Sequence, residues 1–311
     1  MAARRAIVAS GLAPFGYFRC MALRPRTLLL AACWVAVAFL ILVAFAYGSE
    51  GARSLDARAL HGFIDLQSPD DYTRINRIAM LCNPAQAGII AALLAGVALV
   101  RGRPRLAFAV IALLGATSVS SQLLKALLAY PRYDGVVDGA HVDPAAFPSG
   151  HATAAMSLAL AGVLVAPPRA RPHAAVLGAA FALTISFSIV TLGWHFPSDV
   201  AGGFLLATGW ALVIAAGLRY ANERWPVHAG RTRATAALQR AGDSVTTIGI
   251  AALTLVLVGV AAFLAATLVL TRASDLVDFA DEHTALVAVG GGLALAAAVL
   301  LGGVTAALRR S

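Results

Sequence analysis

The sequence predicts an all-α fold, a polytopic transmembrane helical bundle of about eight spans, and three observations predict it. Hydrophobic residues make up 60% of the chain and charged residues 13%, against roughly one quarter charged in soluble globular domains. Uninterrupted apolar runs of about 20 residues, the length that crosses hydrocarbon as a helix, recur along the chain. Basic residues concentrate in alternate loops between those runs, the pattern of the positive-inside rule.

The apolar runs begin near Thr27, Pro84, Leu106, His151, His173, Asp199, Val245 and Ala285. The first, Thr27 to Gly48, is longer than the apolar core of a signal peptide, and no small-residue cleavage pattern follows it, so it reads as a retained helix. Between the first two runs, Ser49 to Asn83 is polar, with Leu55, Ala59, Leu60, Phe63 and Ile64 at helical spacing among charges. That spacing predicts one or two interfacial helices, either a plain connector on the headgroups or a lid beside a site. Tyr130 to Pro148, rich in Asp, Gly and Pro, is the longest irregular segment joining spans on the same side.

An Arg-rich linker, Arg219 to Arg240, precedes the last two runs, and the final one carries Gly290, Gly291, Gly292, Gly302 and Gly303, which suit close helix packing. The chain thus divides into an N-terminal segment (1–26), a membrane core (27–219), a basic linker (220–244) and a two-helix membrane extension (245–311). Neither an internal repeat nor a matched pair of broken helices stands out, which weakens a transporter reading.

Eight spans place both termini on one side. The N-terminal segment, the loops holding Arg101 to Arg105 and Arg169 to Arg171, the Arg219 to Arg240 linker and the C-terminal tail hold 17 of the 24 Lys and Arg residues. The opposite loops hold 13 of the 15 acids. Both termini are therefore expected in the cytoplasm, and the net charge of +9 reflects membrane topology. No nucleic acid is expected as a partner, because the arginines are scattered over short loops without interleaved stacking aromatics. Cys20, Cys33 and Cys82 fall in three different segments and indicate neither a disulfide framework nor a metal cluster.

Three polar clusters sit at span ends on the outer side: Lys125 with Arg132, Pro148-Ser149-Gly150-His151, and His195 with Asp199. Lys125 is the only lysine in the chain. A Pro turn and a Gly just before a span leave free N–H groups at the positive end of a helix, which is an anion site. His195 and Asp199 lie four apart across a Pro turn, so the carboxylate can hold one ring nitrogen and leave the other to attack. Each cluster also has a plainer reading: Lys125 snorkelling at a span end, Ser149 and Asp199 as helix N-caps, and the histidines as satisfied interfacial residues. Three such clusters on one face favour a site.

These motifs resemble the type 2 phosphatidic acid phosphatase superfamily, whose signature is a Lys with Arg seven positions on, then PSGH, then Ser-Arg, five residues, His, three residues and Asp. Lys125 and Arg132 match the first motif, Pro148 to His151 the second, and Ser188, His195 and Asp199 the third, over roughly Leu106 to Arg219. Tyr133 stands where the first motif has Pro, and Ile189 where the third has Arg.

The resemblance implies a six-helix phosphatase core followed by the C-terminal helix pair. It implies a membrane hydrolase that removes phosphate from a lipid phosphate or diphosphate, without metal or other cofactor. His195 would attack phosphorus, His151 act as general acid, and Asp199 orient the nucleophile. Lys125, Arg132, Ser149 and Gly150 would bind the phosphoryl group. Amphiphiles such as polyprenyl diphosphate or phosphatidic acid in the outer leaflet are the expected substrates. Arg74 and Arg77 are the candidates to replace the missing third-motif arginine. A phosphotransferase and a non-catalytic lipid-binding protein are the competing readings.

Overall fold

The computed structural model describes residues 24–68, 70–129, 140, 142–225 and 233–309, and among these it contains helices and no strand. The helices are α1 (Pro25–Gly48), α2 (Glu50–Asp65), α3 (Tyr72–Ala79), α4 (Pro84–Val100), α5 (Pro104–Leu127), α6 (Gly150–Val165), α7 (Arg171–Thr191), α8 (Pro197–Arg224), α9 (Arg233–Thr271), α10 (Ala273–Glu282) and α11 (Thr284–Arg309). A 3₁₀ turn, Met80–Cys82, joins α3 to the corner before α4. Proline opens α1, α4, α5 and α8, where its missing N–H costs nothing and its fixed φ suits the first turn.

Every predicted apolar run is helical. Six helical segments are individually long and apolar enough to cross a membrane: α1, α5, α7, α8, residues Ala241–Thr271 of α9 and Thr284–Leu308 of α11. The other two are shorter. With 17 and 16 residues, α4 and α6 reach about 26 and 24 Å at 1.5 Å per residue, below the roughly 30 Å of a hydrocarbon core. α4 attains spanning length only together with the Tyr72–Cys82 segment, from which it is bent by 52°. α6 is the central post, packed by α4, α5, α7, α8 and α11, with most of its residues buried.

The polar stretch after α1 forms two helices, α2 and α3, as one of the sequence expectations had it. α2 buries Ala57, Ala59, Leu60, Gly62 and Phe63 against α7, α8 and α11, while Leu55 stays exposed.

The two C-terminal helices are placed differently. α11 docks on α2, α7 and α8 through Leu293, Ala297, Leu301, Val304 and Leu308, a stripe at helical spacing. α9 touches α7 and α10, and its apolar side chains are mostly exposed. The glycines expected to pack α11 closely do not do so. A Cβ at Gly291, Gly292, Gly302 or Gly303 would meet open space, and only Gly290 faces a neighbour, Phe63. They lie off the docking stripe, which is built from Leu, Val and Ala. Close approach occurs instead at Gly178, where a Cβ would stand 2.9 Å from Ala159, and at Gly202 and Gly203.

One end of the bundle is tied together by arginines. Arg101 donates to the Val165 carbonyl and pairs with Asp243, Arg171 donates to the Leu308 carbonyl, and Arg219 donates to that of Ala307. The last two satisfy carbonyls that the C-terminus of α11 would leave orphaned. The chemistry-bearing motifs gather at the other ends of the same helices.

Candidate active site

The site begins with the way α7 ends. Gly193 takes φ +70°, the Gly193 N–H donates to the Val190 carbonyl at 2.8 Å, and the Trp194 N–H donates to the Ile189 carbonyl at 3.0 Å. This is a Schellman termination, which glycine permits because it carries no Cβ to clash in the left-handed region. The chain then turns through Trp194, His195 and Phe196, and Pro197 opens α8.

Asp199, in the first turn of α8, is fully buried and holds this turn from inside. Its Oδ2 accepts the Phe196 N–H at 3.0 Å and His195 Nδ1–H at 3.3 Å. A carboxylate can only accept here, so Nδ1 of His195 carries the hydrogen and Nε2 is the nitrogen left with a lone pair.

A second turn is fastened to the first. Ser149 caps α6, its Oγ accepting the Ala152 N–H at 3.3 Å, and its own N–H donates to the Asp199 carbonyl at 3.0 Å. Phe147 anchors the approach: it is buried, its ring centroid 5.7 Å from that of Phe39 and 5.9 Å from that of Tyr47. The space exists because α8 presents glycines. A Cβ at Gly202 would stand 2.7 Å from Phe147 Cζ, and one at Gly203 would stand 2.8 Å from Thr153 Oγ1 and 3.0 Å from the Ser149 carbonyl oxygen.

His151, in the first turn of α6, is held by Asn83, whose Oδ1 lies 2.8 Å from Nε2, and its ring centroid is 5.8 Å from that of Trp194. Lys125, in the last turn of α5, reaches the same helix end: a Cβ at Gly150 would lie 4.0 Å from Lys125 Nζ. Lys125, Gly150 and His151 line a cavity of about 480 Å³ between α4, α5 and α6, together with Ala87, Ala91 and Leu114 and with a polar stripe of α5, Thr117, Ser118, Ser121 and Gln122. The cavity thus carries a cation at one end, a polar stripe along α5 and an apolar surface from α4.

The structure therefore brings Lys125, Ser149, Gly150, His151, His195 and Asp199 to one end of the bundle. Arg132 and Tyr133 lie outside the described residues. Ser149 is fully buried with its oxygen serving as helix cap, and Ser188 donates its hydroxyl to the Thr184 carbonyl at 2.7 Å within α7. Ile189 is fully buried in the core. Neither proposed substitute for the missing arginine lines the cavity: Arg74 is exposed and paired with Asp71 at 3.3 Å, and Arg77 is exposed. Among the described residues no group of three or more His, Cys, Asp or Glu side chains is placed to hold a metal ion.

Motif reading missed four contributors: Asn83, Asp56, and the pair Gly202 and Gly203. Asp56 on α2 accepts both the Ser198 N–H and the Ser198 hydroxyl. The glycine pair beside Asp199 was a visible signal of close approach; nothing adjacent in sequence marks Asn83 or Asp56.

Comparison with known proteins agrees with the motif reading. Residues 86–223 match the sequence model of the PAP2 superfamily, and the motif-bearing segment, Leu106 to Arg219, lies inside that range. The crystal structure of a transmembrane PAP2-type phosphatidylglycerolphosphate phosphatase from Bacillus subtilis is similar at 20% identity with a TM-score of 0.47, over 66% of this chain and 98% of that one. No curated protein is similar enough in sequence to count as a relative.

Proposed function

We propose, from the PAP2 superfamily segment at residues 86–223, that this protein is an integral-membrane phosphatase that hydrolyses a lipid phosphate or a polyprenyl diphosphate through a phosphohistidine on His195. The observation that carries the proposal is the His195–Asp199 pair, 3.3 Å apart and buried, fastened by a backbone hydrogen bond to the turn that carries His151.

Asp199 orients His195 and stabilises positive charge on its ring as Nε2 attacks phosphorus. The bond to the lipid oxygen breaks, and His151 donates a proton to that leaving oxygen. Lys125 and the N-terminal N–H groups of α6 face the charge that accumulates on the phosphoryl oxygens. Water then attacks the phosphohistidine, passing a proton to His151 and releasing phosphate. Every step uses the protein's own side chains, so no metal is needed.

An amphiphilic substrate is supported by the cavity beside His151, where Lys125 suits a phosphate and the apolar part of the lining suits an acyl or prenyl chain, with His195 outside that lining. The arginine-tied end lies opposite the motifs, and the positive-inside rule assigns that end to the cytoplasm, so the site belongs at the outer face.

The test is phosphate release by the detergent-purified protein from phosphatidic acid and polyprenyl diphosphate with EDTA present, wild type against His195→Ala. Release by wild type alone supports the reading. Release by neither, on any lipid phosphate, would favour a non-catalytic lipid-binding protein, the reading that Ile189 in place of the motif arginine invites.

A further inference from the structure

The corner between the 3₁₀ turn and α4 holds a residue that the motifs do not mention. Asn83 is the N-cap of α4, followed by Pro84, and at φ −61° and ψ 153° it has the extended backbone that a following proline favours. Asparagine at this position ordinarily turns its side chain back to cap the first helical N–H groups. Here it makes no such bond. Its Nδ2 donates to Met80 Sδ at 2.8 Å and its Oδ1 meets His151 Nε2 at 2.8 Å.

The orientation of the amide follows from Met80. A thioether accepts hydrogen bonds and cannot donate them, so the NH₂ belongs on the Met80 side and the oxygen on the His151 side. An amide oxygen cannot donate either, so His151 Nε2 must carry a hydrogen. Among the described residues His151 Nδ1 makes no hydrogen bond.

We propose that Asn83 is a positioning residue for His151, fixing its neutral form as the Nε2–H tautomer so that Nδ1 is the nitrogen that gives the proton to the leaving oxygen and later takes one from water. The inference rests on the phosphatase reading above. When the imidazolium releases its Nδ1 proton, the tautomer that remains is the one Asn83 already binds, so proton transfer needs no rearrangement of the ring. Among the described residues, the titratable groups around His151 are Cys82 of the 3₁₀ turn and Lys125 of α5, which share its cavity, and His195 with Asp199 at the α7–α8 turn. From α4, Pro84, Ala87 and Gly88 line the same cavity.

The experiment measures kcat and KM against pH for the full-length protein on phosphatidic acid with EDTA, comparing wild type, Asn83→Ala, Asn83→Asp, His151→Ala and the double variant Asn83→Ala/His151→Ala. Asn83→Ala is expected to lower kcat by about 10-fold or more, part of the roughly 10²- to 10⁴-fold that a general acid supplies, with little change in KM. Asn83→Asp places a carboxylate against Nε2–H, keeps the imidazolium protonated to higher pH, and moves the alkaline limb of kcat up by about one unit or more. In the His151→Ala background, loss of Asn83 costs no further rate. Equal losses with and without His151, or an unmoved limb in a folded Asn83→Asp variant, overturn the role of Asn83 while the phosphatase reading stands. If Asn83→Ala does not fold, the Asn83→Asp profile decides. A wild type that releases no phosphate from any lipid phosphate overturns both.

Discussion

Asp56 on α2 accepts two hydrogen bonds from Ser198, from its N–H at 3.0 Å and from its hydroxyl at 2.5 Å. Ser198 sits inside the turn between His195 and Asp199, so α2 braces the turn that carries both. A hydrogen bond to a charged acceptor contributes about 1.5–3 kcal/mol, and Asp56→Ala removes two. Asp56→Ala is expected to lower melting temperature in detergent and to reduce kcat about 10-fold or more, whereas Asp56→Asn, which keeps one acceptor oxygen, retains more of both. Differential scanning fluorimetry alongside phosphate release checks this; wild-type stability in Asp56→Ala would remove the brace.

In the proposed mechanism, Asp199→Asn keeps an acceptor for His195 but loses the charge that would stabilise its ring as it turns cationic. In a Ser-His-Asp triad the same change costs about 10⁴ in kcat, chiefly through the wrong tautomer. A loss of about 10²- to 10⁴-fold in phosphate release is expected here, with KM changed far less. A loss below about threefold would mean that His195 is not the group whose protonation matters.

The glycines give a controlled comparison. Gly203→Ala would push a Cβ to 2.8 Å from Thr153 Oγ1 and 2.9 Å from the Thr153 backbone nitrogen, so α6 and α8 must separate at the site. Overpacking of this kind costs about 1–3 kcal/mol, and turnover should fall because the Ser149–Asp199 backbone bond spans the same junction. Gly291→Ala meets open space, and its higher helix propensity should leave stability equal or raise it by up to about 1 kcal/mol. Thermal melts of both variants, with phosphate release on each, separate the two cases.

That contrast shows what a single sequence could and could not convey. Apolar run length located the membrane helices, and the motif residues were readable because they stand at short spacings: Pro148 to His151 is one turn, and His195 and Asp199 lie four apart. Asn83 meets His151 from 68 positions away and Asp56 meets Ser198 from 142, so neither pairing leaves a local pattern. Glycine count likewise does not say which face of a helix a glycine occupies. The glycines of α11 promised packing that Leu293, Ala297 and Leu301 perform, while Gly202 and Gly203, unremarked beside Asp199, make the closest approaches at the site.

Ile189 occupies the position of the third-motif arginine, and restoring the motif on paper is not expected to raise the proposed activity. Its side chain is fully buried in the core between helices, while its carbonyl accepts the Trp194 N–H that closes the α7 turn. Arginine there would place a charge among apolar neighbours, and the effective penalty for burying an unpaired charge is several kcal/mol. Ile189→Arg is therefore expected to lower the melting temperature and the yield of folded protein in detergent, and to reduce phosphate release rather than raise it. A folded Ile189→Arg variant with a faster rate and a lower KM would instead mean that this side chain can swing into the site, and that the wild type works without a contact its fold can accommodate.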